Sequence, residues 1–458
     1  MAGYVFVAVL LMSAAAYFVG RSAGNSFTRA SSGVHSLPVY HGAFVAVWVG
    51  IPALILVLLW LFLQGSVLDR LIVGSLPAAI TEGADASRLD LYLSEIKNLA
   101  AGKVFGDAAP EIVAAAERYT RWQTIAGWSL AVVAFAVMIV GLLFARSRLA
   151  PRFRARNGVE KVMTGAMLAC AIAAIITTIG IVASLLFEAL RFFALVSPFE
   201  FFFGLRWEPQ IPLRADQIAG AGAFGAVPVF WGTIVIAVTA MVVATPIGLF
   251  TAIYLVEYAD DRIRKIVKPV LEILAGIPTV VYGFFAVLTV APAIRQAGLF
   301  MGLATSPNSV LAAGGVMGIM IIPFISSLSD DALKAVPRAM RDGSLAMGAT
   351  RAETMKKVLL PAALPGIMGG ILLGFSRAIG ETMIVVMAAG LIATLTLNPL
   401  DGVTTVTVQI VTLLIGDTEF DSPKTLAAFA LGLVLFVVTL SLNVIALRIV
   451  RRYREKYE

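Results

Sequence analysis

The sequence contains very few residues that bind metals or form disulfides. Among its 458 residues there is one cysteine, Cys170, and there are two histidines, His35 and His41. A single cysteine excludes a disulfide framework within the chain and a cysteine-based zinc or iron–sulfur site. Two histidines also argue against a histidine-rich metal site. We therefore expect no metal site and no cofactor bound by this chain itself.

Charged residues are also scarce. They make up 14% of the chain, whereas roughly 25% is usual for soluble proteins, and 59% of the residues are hydrophobic. A soluble protein of this composition would lack the polar groups needed to cover its surface. The composition excludes an ordinary soluble enzyme, a disordered protein and a collagen-like fibre. It indicates a polytopic membrane protein.

Nine apolar runs approach the length of about 20 residues that a helix needs to cross a bilayer. They occupy residues 3–20, 43–64, 123–145, 162–187, 229–256, 269–292, 309–329, 363–391 and 425–447. The runs are continuous and do not alternate with polar residues as the strands of a membrane barrel do. The sequence therefore predicts an all-α membrane protein with about nine transmembrane helices.

The net charge of +7 is best explained by the orientation of these helices. If the N-terminus lies outside, about two thirds of the basic residues fall on the inside, where positive loops are favoured. Most acidic residues then fall outside. We predict an N-out, C-in topology in the bacterial inner membrane. The basic excess faces the membrane lipid and gives no reason to expect a nucleic-acid partner.

A basic linker at residues 146–156 separates two parts of the chain. We assign residues 1–160 to an N-terminal extension with three spans and residues 161–458 to a core with six. The extension includes a polar segment at 65–122 that is predicted to lie outside. This segment is either a small packed module or a plain tether between spans.

The predicted inside loop at 330–362 is longer and more polar than an ordinary connection between two helices. Pro337 and Pro361 bracket a stretch that is able to form helix. Gly348 interrupts this stretch, as a turn between two short helices would. We predict a helix–turn–helix on the inner face that docks to a cytoplasmic partner.

The spacing in this loop resembles the EAA loop of the inner-membrane permease subunits of ABC importers. The matching positions are Asp342, Gly343, Ser344, Gly348, Val358, Leu360 and Pro361. The chain departs from that pattern by having Asp in place of Glu and Gly-Ser in place of Ala-Ala. The resemblance implies that this coupling loop contacts an ATPase. The chain has no Gly-rich phosphate-binding loop of the Gly-x-x-x-x-Gly-Lys-Ser/Thr type, so ATP-Mg must be bound by a separate partner subunit.

The run at 363–391 differs from the others because it contains ionisable residues. Arg377 and Glu381 are four residues apart and would pair on one helix face, flanked by Ser376 and Thr382. A lone charge at the bilayer centre costs roughly 2.5–3.5 kcal/mol or more, so such residues usually serve a function. The planar guanidinium suits a bidentate oxyanion. We predict an anion path at these residues; the alternative is an ion pair that only fixes helix register.

Two motifs resemble the PstC family of phosphate importer permeases. They are Arg-Ala-Ile-Gly-Glu-Thr-Met at 377–383 and Gly-Ile-Pro-Thr-Val-Val-Tyr-Gly at 276–283. The resemblance covers about 161–458 and implies a MetI-like six-helix core. It also implies a PstA-like second permease, two PstB-like ATPases and a periplasmic PstS-like phosphate-binding protein.

The second motif has its own physical interpretation. A proline within the run at 269–292 would kink the helix, and Gly283 would allow close helix approach. Thr279 and Tyr282 could then offer hydroxyl donors to the anion path.

Three alternatives to a phosphate permease remain open on the sequence alone. The first is a permease for another oxyanion, such as sulfate or molybdate. The second is a membrane sensor or scaffold that has the same core and no transport activity. The third is a membrane enzyme, which lacks support because the sequence shows no metal cluster and no nucleophile–base set.

Overall fold

A computed structural model describes residues 2–30, 34–77, 86–103, 109–210, 222–415 and 421–454. Within these residues, nine helices are long and apolar enough to cross a membrane, which confirms the predicted count. The chain divides into two compact units, Met1–Ile175 and Ile176–Glu458. The boundary falls later than residue 160 because one long helix without an internal proline runs through it.

The first unit consists of four helices and the start of a fifth. They are α1 (Ala2–Ala30), α2 (Pro38–Gly74), α3 (Ala86–Ala100), α4 (Pro110–Arg148) and α5 (Ala155–Leu195). The apolar faces of α1, α2 and α4 form its main core, with Val49, Ala134 and Met138 almost fully buried. Within a membrane such a core is held together mainly by close side-chain packing, because lipid tails are as apolar as the buried residues.

The described part of the segment at 65–122 forms a small core of its own. α2 and α4 both extend beyond their apolar stretches, and α3 packs between them. Ile72, Ile96 and Ile112 meet there, and each is at least nine-tenths buried. These residues pack together instead of leaving α3 as an isolated surface helix.

The second unit contains two short strands and twelve further helices in the described residues. In chain order they are α6 (Pro198–Phe203), β1 (Trp207–Glu208), β2 (Ala223–Phe224), α7 (Val227–Ile253), α8 (Asp261–Gly276), α9 (Thr279–Phe285), α10 (Ala291–Phe300), α11 (Val310–Ala335), α12 (Arg338–Ala346), α13 (Arg351–Thr354), α14 (Leu360–Ile379), α15 (Met383–Ala388), α16 (Val406–Leu414) and α17 (Pro423–Arg454). β1 and β2 are antiparallel, with Trp207 opposite Phe224.

The described part of the second unit contains three π-turns, two of which join consecutive helices directly. They are Tyr254–Tyr258 after α7, Ala286–Val290 between α9 and α10, and Met355–Leu359 between α13 and α14. Such turns often occur at functional sites, since the extra residue shifts the side chains that follow.

The central helix of the second unit is α11. Two thirds of its most apolar stretch is buried, far more than in any other long helix described. Met317, Ile321 and Ile325 along it are completely buried against the surrounding helices. Near its end, α11 carries Asp330 and Lys334, so its packing fixes the position of a charged group beside the core.

The predicted span at 269–292 is wrong in its bounds. The helix stops and restarts around Pro278, where Ile277 is extended with φ −67° and ψ 129°. Proline lacks an N–H and disfavours helical geometry in the residue before it. The expected kink is therefore a full break. The membrane-length helix is Thr279–Phe300, and α8 is a separate charged helix without a buried residue.

The predicted span at 363–391 is also wrong as a single helix. α14 ends at Ile379, and the next helix, α15, has only six residues. Residues 391–405 are not helical, and α16 follows as a short buried helix that the sequence did not predict. The break falls at Gly380, a residue whose flexibility disfavours the helix interior.

Candidate functional site

The residue pair predicted in the membrane is separated by this break. The backbone N–H of Met383 donates to Oε1 of Glu381 at 3.0 Å, and that of Ile384 donates to the same atom at 3.5 Å. Glu381 thus caps the first turn of α15, where a carboxylate is favoured. The predicted helical pairing of Arg377 with Glu381 is wrong, because the helix that carries Arg377 ends before Glu381.

Arg377 lies in the last turn of α14 and is exposed within this chain. Its guanidinium carbon is 6.0 Å from the centre of the Phe324 ring on α11, an approach suited to a cation–π contact. Ser376 and Thr382 on either side are half-buried. The structure therefore places Arg377 on an open surface where its donors remain available to a ligand.

That surface is the wall of a cavity of about 260 Å³ between α8, α11 and the end of α14. Its polar lining residues are Arg264, Lys268, Glu272, Ser326, Ser327, Asp330 and Arg377. The residues from α8 recur every three or four positions, so one face of this helix lines the cavity. Three cations, two carboxylates and two hydroxyls are thus within one chamber, which suits a small anion with hydrogen-bonding oxygens.

Asp330 is the most buried charge in this cavity. Its side chain is 6% exposed and forms ion pairs with Arg264 at 3.2 Å and Lys268 at 3.5 Å. Lys334, one turn later on α11, contacts the same carboxylate. Sequence reasoning missed this cluster because Arg264 and Lys268 come from a different helix. The only hint in the sequence was the four-residue spacing of Asp330 and Lys334, which allows an ion pair on one helix face.

The coupling loop has the predicted helix–turn–helix form. α12 and α13 are separated by Gly348, which has φ +87°, a conformation that glycine adopts readily and other residues rarely do. Thr350 and Glu353 then form a capping box at the start of α13. The Oγ of Ser344 lies 3.0 Å from Oγ1 of Thr354, so the two short helices are also linked by side chains.

One face of this loop is bound to the core and another is exposed. Arg341 donates to Oε1 of Glu257, a carboxylate with no exposed side-chain surface, at 3.0 Å. Asp342 and Gly343 are exposed, as is Met347, whose exposure reaches 88%. An exposed methionine beside charged groups is suited to contact with another protein.

The chain matches known proteins over most of its length. Residues 244–455 match the family described as "Binding-protein-dependent transport system inner membrane component". The probable ABC transporter permease protein YqgH of Bacillus subtilis (strain 168) is 37% identical over 273 residues, 59% of this chain and 84% of that protein. The phosphate transport system permease protein PstC 1 of Mycobacterium tuberculosis is 32% identical over 277 residues, 55% of this chain and 81% of that protein. This chain belongs to the PstC family of transport permeases.

A second family matches the N-terminal part of this PstC-family permease. Residues 6–177 match the family described as "Phosphate ATP-binding cassette transporter". Among solved structures, the inward-facing MetNI methionine ABC transporter has a TM-score of 0.39 and 20% identity, over 50% of this chain and 95% of that chain. The family assignment rests on the sequence relatives. Together with its apolar helices, this assignment makes the chain a multi-pass permease of the bacterial inner membrane.

Two other candidate path residues have different surroundings in this permease. Tyr282 is buried, and its hydroxyl donates to the carbonyl of Leu274 at 2.8 Å. That bond bridges the break between α8 and α9. Thr279 is the first residue of α9 and is half-buried. Neither residue lines the cavity with Arg377, so their role in an anion path stays a prediction.

Gly283 provides the close helix approach expected from the sequence. A Cβ at this position would lie 2.6 Å from Sδ of Met387 and 3.2 Å from the carbonyl oxygen of Met383. Both methionines belong to α15. A larger residue would push α15 away from α9 and disturb the helix that Glu381 caps.

No sequence pattern indicated the polar residues that pack behind Glu381. Oγ1 of Thr407 on α16 donates to the carbonyl of Glu381 at 2.9 Å and lies 3.0 Å from Oγ1 of Thr405. The backbone N–H of Val406 donates to Oγ1 of Thr233 on α7 at 3.0 Å. Buried hydroxyls need such partners, and here they hold the broken segment against α7.

The last residues of the coupling motif lie beyond the two short helices of the loop. Val358 is in the π-turn, and Leu360 and Pro361 are the first residues of α14. The predicted end of the helical stretch at Pro361 is therefore wrong. A proline in the first helical turn needs no N–H partner, so the helix continues through it.

Proposed function

We propose that this chain forms one half of the translocation path of an ATP-driven phosphate importer. The observation that carries the proposal is the exposure of Arg377 to a cavity that also contains Arg264 and Lys268. An arginine fork binds phosphate oxygens bidentately, and charge-assisted bonds of this kind are stronger than neutral ones. The names of the PstC relatives give independent support for phosphate as the substrate.

The acidic residues of the cavity favour phosphate over sulfate or molybdate. Glu272 and Asp330 line it together with the cations. An ionised carboxylate only accepts hydrogen bonds. Phosphate near neutral pH carries a proton that it can donate to such a group, whereas sulfate and molybdate carry none. The same carboxylates repel the anions that have no proton to offer.

The proposed assembly contains one PstA-like permease, two PstB-like ATPases and a PstS-like binding protein. Lacking a phosphate-binding loop of its own, the permease relies on ATP-Mg bound by the ATPases. The exposed face of α12, with Asp342 and Gly343, would fit a cleft on one ATPase. Motion of that ATPase would reach the core through the bond between Arg341 and Glu257.

The proposal is tested by phosphate uptake into vesicles that contain the assembled importer. Arg377→Gln removes the charge and the fork while keeping a similar length. We expect uptake to fall about tenfold or more, because one charge-assisted hydrogen bond contributes roughly 1.5–3 kcal/mol. Arg377→Lys should lose less, since it retains the charge.

The control is Arg262→Gln, an exposed position on α8 that does not line the cavity. This variant should transport phosphate normally. Wild-type uptake by Arg377→Gln would contradict the role of Arg377. Equal competition by sulfate and phosphate in the unmodified importer would instead contradict the assignment of phosphate as the substrate.

A further inference from the structure

A carboxylate of the cavity wall, that of Asp330, is already bound to the cations that would otherwise bind a soluble anion. Asp330 accepts from Arg264 and Lys268, which both face the cavity, and also from Lys334. Its side chain is 6% exposed, while those of Arg264 and Lys268 are 29% and 42% exposed. The carboxylate is thus fixed in the wall, and the two cations remain accessible to a soluble ion.

The cations of the cavity lie at two different positions along α11. Arg377 lies over Phe324, and Asp330 is six residues further along the same helix, which corresponds to about 9 Å at 1.5 Å per residue. The direction from Phe324 to Asp330 leads toward the coupling loop, the predicted cytoplasmic side. An anion that leaves Arg377 in this direction next meets Arg264 and Lys268.

We propose that Asp330 is a built-in counter-ion that competes with phosphate for Arg264 and Lys268 and thereby sets how fast the anion is released. This inference rests on the proposed phosphate transport. When no substrate is present, Asp330 neutralises part of the charge of the two cations. Phosphate attracted to them has to displace a carboxylate that belongs to the wall.

A fixed competitor of this kind lowers the affinity of the site without removing its cations. A group tethered next to its partner has an effective concentration on the order of millimolar or higher. A free anion must exceed this competition to stay bound. The cations therefore attract phosphate from Arg377, and Asp330 prevents them from holding it, as a conduit requires.

The test measures inhibition of the importer by its own product. Proteoliposomes are prepared with phosphate at increasing concentrations on the side of the ATPases, and ATP-driven uptake is measured. In Asp330→Asn the cations lose their competitor. We expect the phosphate concentration that halves uptake to fall about tenfold, and uptake at low product concentration to be slower because release limits turnover.

The matched control is Asp331→Asn, which changes the adjacent acidic residue. Asp331 is exposed and does not line the cavity, so product inhibition should equal that of the wild type. Lys268→Gln gives a second measurement that does not depend on folding of the Asp330 variant. It removes one accessible cation and should raise the half-inhibiting concentration.

The outcomes separate this inference from the proposed function. If wild-type vesicles accumulate phosphate but Asp330→Asn and Lys268→Gln leave product inhibition unchanged, the counter-ion role is overturned and phosphate transport stands. If wild-type vesicles accumulate no phosphate, the proposed function itself fails. A fall in the half-inhibiting concentration in Asp330→Asn, together with a rise in Lys268→Gln, supports the inference.

Discussion

Arg341 on α12 forms an ion pair with Glu257, a fully buried carboxylate of the core. The carboxylate of Glu257 has no exposed surface, and its second oxygen, Oε2, has no hydrogen-bond partner among the described residues. A buried charge that loses its partner is strongly destabilising, by about 3–5 kcal/mol. This pair therefore makes the position of α12 sensitive to a single side chain.

We expect Arg341→Met to lower the free energy of unfolding of the core by about 3–5 kcal/mol. The double variant Arg341→Met with Glu257→Gln should recover most of this loss, because it no longer contains an unpaired buried charge. Denaturant unfolding of the purified importer in detergent measures both.

The control is Arg338→Met on the same short helix, where the side chain is exposed. Exposed substitutions away from special contacts usually change stability by less than about 0.5 kcal/mol. If Arg341→Met were as mild as this control, or if the double variant were no more stable than the single one, the ion pair would not connect the loop to the core.

For single residues, the sequence indicated which ones were unusual but not which residues they contact in the structure. Arg377 stood out because it is a charge in an apolar run. The prediction that Arg377 pairs with Glu381 was wrong. It assumed that one helix carries both residues, whereas α14 ends at Ile379. Two of the cations around Asp330, Lys268 and Arg264, lie 62 and 66 residues earlier in the chain. Only the packing of α8 against α11 brings them together, and no local pattern specifies that packing.

Among the elements, the turn between α12 and α13 has the clearest conformational requirement. Gly348 has a positive φ of +87°, and a Cβ there would meet no other atom. Replacing Gly348 by another residue would therefore cost stability through backbone strain alone, roughly 1–2 kcal/mol for an L-residue in the left-handed region. The turn of the coupling loop therefore favours glycine at this position.

We expect Gly348→Ala to reduce the coupling of ATP hydrolysis to phosphate uptake, because α12 and α13 can no longer keep the same angle without strain. The measurement is the number of ATP molecules hydrolysed per phosphate imported. Gly302→Ala is the matched control: Gly302 also has a positive φ, +71°, a methyl group added there would touch no neighbouring atom, and it lies outside the coupling loop. An unchanged ratio in Gly348→Ala would argue against a fixed angle.

The helices were predictable from the sequence where a run of apolar residues is long and uninterrupted. The count of nine membrane-length helices among the described residues follows from this property, and the coupling helices follow from the glycine and prolines around them. The break at Pro278 was expected only as a kink, because the strength of tertiary packing decides whether a helix bends or stops. α16 was missed because its nine residues are too short for a span. Its contacts are also distant in sequence: the backbone N–H of Val406 donates to Thr233 on α7, and Thr407 donates to the carbonyl of Glu381.

In the whole molecule, a central helix connects the outer face to the cytoplasmic face of the permease core. α11 carries the buried apolar residues, then Phe324 beneath Arg377, and then Asp330. The break after α14 leaves Arg377 at a helix end, and α8 contributes the cations Arg264 and Lys268. The proposed path thus begins at Arg377 and leads toward the side where the coupling loop lies.

The lone cysteine makes this path accessible to direct measurement. In a Cys170→Ser background, Ser327→Cys places a thiol on an exposed position of the cavity wall. Met347→Cys places a control thiol on the coupling loop, at a position that is 88% exposed. A negatively charged, membrane-impermeant thiol reagent applied from the ATPase side should modify both.

Phosphate in the cavity should repel this reagent and block its approach. We expect phosphate to slow modification of Ser327→Cys severalfold, sulfate to have little effect, and neither anion to affect Met347→Cys. Adding Arg377→Gln should remove the protection by phosphate. If Ser327→Cys reacts at the same rate with and without saturating phosphate, phosphate does not occupy the cavity beside Arg377, and the proposed path is contradicted.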